Sequence, residues 1–173
     1  IATLNVDTKQ EKIKTLVKYA EKAITSPSGG AQTYTSLDVS DVYSIRAIYD
    51  SGSGSTAAAP PKLVVSSSTG TYIAGEIITN AASTATGVVI VMPSSTAISY
   101  VITSGTFAAS DVITGSANSY TATIGTVTAG HTNITTRFSL DTGQRDSYYD
   151  LSTAVRKPDA VTPVGQLLIV YDY

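Results

Sequence analysis

The sequence predicts a mainly β protein: a host β-sandwich-like domain, an inserted six-stranded small β-barrel or sandwich built from two repeats, and one N-terminal helix. Three observations predict it. Only 14% of the 173 residues are charged, and Ser, Thr, Ala and Gly take their place, a composition suited to short strands and turns rather than long helices. A twenty-residue segment recurs at an offset of 35 positions. A Gly/Ser/Pro stretch then separates the strand-like segments around that repeat from those that precede it.

Taken in chain order, the first element is the helix, expected over Thr8 to Thr25. Ile13, Leu16, Val17, Ala20, Ala23 and Ile24 share one helical face. Thr8 followed by Glu11 fits a capping box, and Pro27, Gly29 and Gly30 stop the helix. Lys14, Lys18 and Lys22 then form a stripe on the outer face, which reads as a solvated surface rather than a phosphate site. This segment, 1–30, is the N-terminal helical region.

"DVYSIRAIYD" (Asp41 to Asp50) follows. Tyr43, Ile45, Ala47 and Tyr49 alternate with other residues, the mark of a half-buried strand. "SGSGSTAAAPP" (Ser51 to Pro61) reads as a flexible linker and a boundary. Beyond it, "GTYIAGEIITNAASTATGVV" (Gly70 to Val89) aligns without gaps to "GTFAASDVITGSANSYTATI" (Gly105 to Ile124), with seven of twenty positions identical. Each copy reads as three strands: Leu63 to Ser66, Glu76 to Thr79 and Thr86 to Met92, or Ile98 to Thr103, Asp111 to Thr114 and Thr121 to Val127. Three such strands cannot bury both faces alone, so two copies should pack about a pseudo-twofold axis and close off each other's edges. Glu76 and Asp111 interchange because each should bond backbone amides of its own turn.

The last run, "GQLLIVYDY", is apolar on both faces at Leu167, Leu168, Ile169 and Val170, so it should be a central strand. If it pairs near Asp41 to Asp50, then 31–55 and 130–173 form the host domain and 60–129 is an insertion. The start has neither an initiator Met nor the regions of a signal peptide, and the end resembles a strand cut at its tip. Both suggest a piece of a longer polypeptide.

Composition limits the chemistry. A formal net charge of −2 gives no field to gather nucleic acid or acidic membranes. The chain has no cysteine, hence no disulfide and no thiolate metal site, and no apolar run approaches the ~20 residues that span a bilayer. The single histidine, His131, sits in a turn-like stretch with no nucleophile elbow around any serine. "LDTGQRDSYYDLSTAVRKPD" (Leu140 to Asp159) is the one charge-rich stretch, and its acids Asp141, Asp146 and Asp150 raise the question of calcium. The alternating ligand pattern of an EF-hand is absent, and Arg145 would compete for the carboxylates. Scaffolding is the better reading: Arg145 and the aspartates tie the loop, while Tyr148, Tyr149, Leu151 and Val155 pin it to the host core. No catalytic, cofactor-binding or metal residue is assigned.

"DTGQRDSYYDLSTAVRKPDAVTPVGQLLIVYDY" resembles a passage of large structural proteins of tailed bacteriophages, in which Asn/Thr-Gly-Gln-Arg-Asp, two residues and Tyr-Asp precede Lys-Pro and a Leu-x-Val-x-Tyr-Asp-Tyr strand. The repeat is similar to "Gly-Glu-x-Ile-Thr-Gly" modules of the same polypeptides, although Ser110 replaces Gly75 in the second copy and Asn80 stands where the module has glycine. The resemblance implies a virion component of a tail, baseplate or fibre, not an enzyme. Its partners would be other virion proteins and copies of itself, with no cofactor, nucleic acid or membrane. Gln144, Arg145, Asp146 and Tyr149 would be structural positions of the motif. The alternative expectation is a glycan- or receptor-binding β module of a fibre or bacterial surface protein.

Overall fold

The structure is a computed structural model that describes residues 15–25, 34–80, 82 and 84–173. Its strands are β1 (Ala20–Ile24), β2 (Tyr34–Ser36), β3 (Ser44–Asp50), β4 (Lys62–Ser68), β5 (Ile77–Asn80), β6 (Thr86–Ser94), β7 (Ala97–Ser104), β8 (Val112–Gly115), β9 (Thr121–Thr128), β10 (Thr132–Asn133), β11 (Phe138–Asp141), β12 (Thr153–Arg156) and β13 (Leu167–Asp172). They form three sheets: a closed barrel in the order β4-β7-β6-β5-β8-β9, a four-stranded sheet β1-β13-β3-β10, and a three-stranded sheet β11-β12-β2.

The barrel uses only strands between Lys62 and Thr128, and both other sheets draw strands from either side of it. Its two halves repeat the expected strand-turn-strand unit. In the β4–β7 ladder Leu63 stands opposite Ile98, and in the β5–β8 ladder Thr79 stands opposite Thr114. Each pair joins residues that the 35-residue offset makes equivalent, so a pseudo-twofold axis passes through both. The interior follows the same rule, with Leu63/Ile98, Ile78/Ile113 and Val89/Ile124 all buried in one core. Closure leaves the barrel without an open edge.

The two remaining sheets enclose a second core, in which Ile48, Leu167 and Ile169 meet Leu37, Phe138 and Ala154. β13 pairs antiparallel with β3 on one side and with β1 on the other. Its two faces serve different neighbours. Leu167 and Ile169 fill the host core, while Leu168 and Val170 join Ala47 and Tyr49 of β3 in a third cluster with Ile90 of the barrel. The doubly apolar pattern of β13 therefore marks a strand between a core and a docked module. β3 carries the same double role, so the half-buried reading of its alternation is corrected: its last four residues are all buried.

The helix is corrected as well. Within Thr8 to Thr25, the residues before Thr15 lie outside the described ones, and Ala20–Ile24 is a strand. Ala20 and Ile24 pack on the host core and Leu16 is half exposed. The physical reason is a shared spacing. Residues four apart fall on one side of a helix and also on one side of a strand, so Ala20 and Ile24 satisfied both patterns. The edge of β13 supplies the hydrogen bonds that decide between them.

Two chain crossings join host and barrel. The Gly/Ser stretch between them is bound rather than free. Ser51 N–H donates to Gln166 O, Gln166 N–H to Ser53 O, and Gln166 Nε2 to Gly54 O. At the other end, His131 and Ala59 exchange backbone and imidazole bonds, His131 N–H to Ala59 O at 3.0 Å and Ala59 N–H to His131 Nδ1 at 2.9 Å.

Candidate functional site

The charge-rich loop Asp141 to Leu151 is a hairpin held by backbone hydrogen bonds, Gly143 and the Arg145–Asp141 pair. Gly143 adopts φ +74°, and a Cβ there would stand 2.4 Å from Asp150 O, so only glycine fits. Asp150 N–H donates to Gly143 O, Arg145 N–H to Tyr148 O, and Gln144 bridges Tyr149. The Arg145 guanidinium grips Asp141 with both arms, Nη1 to Oδ1 at 2.9 Å and Nη2 to Oδ2 at 2.7 Å. That fork, with the Gly143 N–H as second cause, holds the Asp141 carboxyl down at about 2 and raises Arg145 in return. Gln144 Nε2 reaches out of the loop to Asp41 Oδ1 at 3.0 Å.

The loop is tied to the host by a serine, not by aromatic rings. Ser152 is fully buried; its Oγ accepts from Val42 N–H and donates to Thr142 O, and its backbone pairs with Val39 and Leu37. Tyr148, Tyr149 and Leu151 are 57%, 77% and 47% exposed. The expectation that these three pin the loop to the core is therefore corrected. With the loop's backbone bonds satisfied internally and by Ser152, no apolar anchor was required to hold it. Val155 is half buried in β12.

The other candidates also resolve into structural roles. His131 lies at the crossing described above. Among the described residues no group of three His, Asp or Glu side chains is placed to hold a metal ion. Lys14 lies outside the described residues; Lys22 pairs with Asp38, and the stem of Lys18 lies over Gly75 of the barrel. Glu76 Oε2 accepts from Ile73 N–H at 3.0 Å and Asp111 Oδ2 from Ala108 N–H at 2.9 Å, which is the turn-bonding role read from their interchange.

Two buried carboxylates escaped the sequence reading. Asp172, fully buried, accepts from Tyr19 N–H at 2.7 Å, Tyr43 O–H at 3.0 Å and Arg46 Nε at 2.7 Å. The hydrogen bond to Asp172 raises the Arg46 guanidinium, which also lies 5.6 Å from the centre of the Tyr19 ring. Asp50 accepts from the N–H groups of Gly52, Val164 and Gly165. Burial pushes its carboxyl up, but the three backbone bonds and Arg137 outweigh burial and hold it below its ordinary value. A signal existed for each: an acid inside an apolar strand demands a partner, and an acid that ends a strand before Ser-Gly turns is a ready backbone cap.

One cleft of about 300 Å³ lies beside the Asp172 cluster, lined by Thr15, Leu16, Ser40, Asp41, Tyr43 and Tyr173. The Tyr43 ring is fixed there by its bond to Asp172. This arrangement can present rigid aromatic faces, and it can anchor chain. Comparison with family models, with curated proteins and with solved structures finds no match.

Proposed function

We propose that the chain is a structural segment of a tailed-phage virion, in a tail, baseplate or fibre, and works through protein–protein contacts rather than catalysis. The observation that carries this reading is the role of the motif that prompted it. Gly143, Gln144, Arg145 and the terminal Asp172 are each used to fix backbone: a left-handed turn, a bond between loops, a forked ion pair and a buried anchor. Residues selected for chemistry would leave reactive atoms facing a pocket; these are consumed in scaffolding. An inserted barrel held on a host sandwich suits an assembly part, which needs rigid surface in quantity.

Mass spectrometry of purified particles, with gold labelling by an antibody to this chain, tests the reading. A chain found at one fixed place on the particle supports it, and a chain absent from particles overturns it. The cleft beside Tyr43 and Tyr173 favours a second reading, a glycan- or receptor-binding module, because tyrosine faces and hydroxyls together suit a sugar ring. A glycan array that lights up with the intact chain and goes dark with Tyr173→Ser would favour that reading.

A further inference from the structure

The two ends of the host carry opposite charge. The β11–β12 ladder sets them apart: Asp141 stands opposite Thr153 at one end, and Phe138 opposite Arg156 at the other. The first end is acidic. Its hairpin, Asp141 to Leu151, pairs Asp141 with Arg145 and leaves Asp146 and Asp150 exposed. Asp41, bonded to Gln144, adds a third carboxylate there. Tyr148, Tyr149 and Leu151 stand exposed on the same hairpin. Fixed tyrosines are efficient contact residues, since they bring large area at little conformational entropy.

The second end is basic. Arg137, Arg156 and Lys157 come together where β11 begins and β12 ends. Their side chains donate to the backbone oxygens of Val161, Ala160 and Thr136, and among the described residues none of the three is ion-paired with a carboxylate. Two acids lie in this region. Asp50 acts on Arg137 through space, but it is buried and occupied by three backbone N–H groups. Asp159 is exposed. The surface here therefore carries exposed Lys157 and half-buried Arg137 and Arg156 against one exposed acid. Val161 and Val164, 67% and 71% exposed, stand on the loop that these cations hold. Opposite charge at opposite ends directs association. A two-fold axis through either end would set like charge against like. Head to tail, each acidic end meets a basic one.

We propose that copies of this chain associate head to tail, the Asp146/Asp150 hairpin of one, with Tyr148 and Tyr149, docking on the Arg137/Arg156/Lys157 end of the next, with Val161 and Val164. Such a heterologous contact propagates into a ring or a filament. The inference rests on the assembly reading above and names one of its contacts. Sedimentation velocity of the full chain over a concentration series at low salt should show association that recedes as salt is raised. Asp146→Lys and Lys157→Glu should each weaken it ~10-fold or more, with the thermal melt unchanged. A mixture of the two variants should associate again, because the reversed charges then face each other. That rescue separates a contact between copies from damage to the fold. If loss of the Lys157 bond to Thr136 lowers the melt, Val161→Glu, at an exposed side chain, makes the same test. A chain monomeric throughout, association indifferent to salt and to both reversals, or a mixture no stronger than either variant alone overturns the contact. A monomer still found on particles by the labelling test would remove this contact and leave the assembly reading standing.

Discussion

The two copies of the repeat share one backbone and differ where their surroundings differ. Gly75 N–H donates to Val89 O and Ser110 N–H to Ile124 O; Val89 N–H donates to Glu76 O and Ile124 N–H to Asp111 O. Even the left-handed residues correspond: Gly75 and Ser110 have φ +83° and +72°, Thr84 and Ser119 +57° and +55°. Against that constancy, Ile90 is buried against the host while its equivalent Gly125 is exposed. Val101 packs on the same cluster, and its equivalent Ser66 is exposed. The barrel thus has two faces of one shape. The sequence made one of them sticky and stripped the other of apolar side chains, which prevents a second host from docking there.

The interior shows a second kind of difference, compensation. Tyr100 stands where the first copy has Val65, and Gly87 yields it room: a Cβ on Gly87 would lie 2.9 Å from the Tyr100 ring. The first copy's turn acid is Glu76, long enough that its Oε1 comes within 2.2 Å of a Cβ placed on Gly115. The second copy has the shorter Asp111, bonded to Ala108 N–H, and the position equivalent to Gly115 is the larger Asn80. Volume is conserved in each half by different residues, as close packing requires.

The largest effect that could break the comparison comes from the docking face. Ile90→Ala should cost about 2–5 kcal/mol in urea unfolding, the range for a buried isoleucine that leaves a cavity. Gly125→Ala should be neutral or slightly stabilising, by about 0.4–1 kcal/mol, because a Cβ there meets nothing closer than 3.4 Å. Equal effects at the two sites would mean that the faces do not differ as described. Next in size is the turn. Gly115→Ala should lose about 1–3 kcal/mol through overpacking against the Glu76 carboxylate. Asn80→Ala should stay within about 1 kcal/mol, since the Asn80 Nδ2 is buried without a partner and, among the described residues, its side chain gives up one bond, from Ala82 N–H to Oδ1.

A third experiment sharpens the contrast between barrel and crossing. Asp50 is held below its ordinary carboxyl value in the folded chain. Such a group adds stability above the unfolded value, and that stability disappears as pH falls through the folded one. Acid titration of the wild type should therefore show stability falling below pH ~4. Asp50→Asn should be less stable at neutral pH and flatter across that window. A parallel acid slope in both proteins would remove Asp50 from the crossing's account.

How much of this was readable in advance follows from the physics of each element. The barrel was legible because a repeat constrains two halves at once: a strand placed in one copy must recur 35 residues later, and all three did. β13 was legible because four consecutive apolar residues in so short a run fit a strand covered on both faces. β1 was not, because Ala20 and Ile24 fit either period and the choice belonged to the free edge of β13. The exposed tyrosines were misread for a related reason. Apolar rings adjacent to charged residues look like anchors, and only the three-dimensional bonds of Ser152 show that the anchoring was already complete. The Asp172–Arg46 pair lay 126 residues apart, beyond any local pattern.

The smallest expected effect compares turn acids inside and outside the barrel. Glu76 is buried and Asp141 is half exposed, yet each accepts a backbone N–H of its own turn, Ile73 in one and Gly143 in the other. Burial decides what the bond is worth. For Glu76 the alternative to its partners is a buried unpaired charge; for Asp141 the alternative is water. Arg145→Ala should accordingly lower the melting midpoint only slightly, despite the near-ideal fork, because solvent and salt screen an exposed pair. Its clear signature is electrostatic. Arg145 is the first cause of the low Asp141 carboxyl, so in the variant Asp141 should titrate upward from about 2 toward its ordinary value, read by carboxyl NMR. The Gly143 N–H bond keeps it from returning fully. A large loss of stability would show that the loop depends on the ion pair, and an unmoved Asp141 would show that the fork does not form in solution.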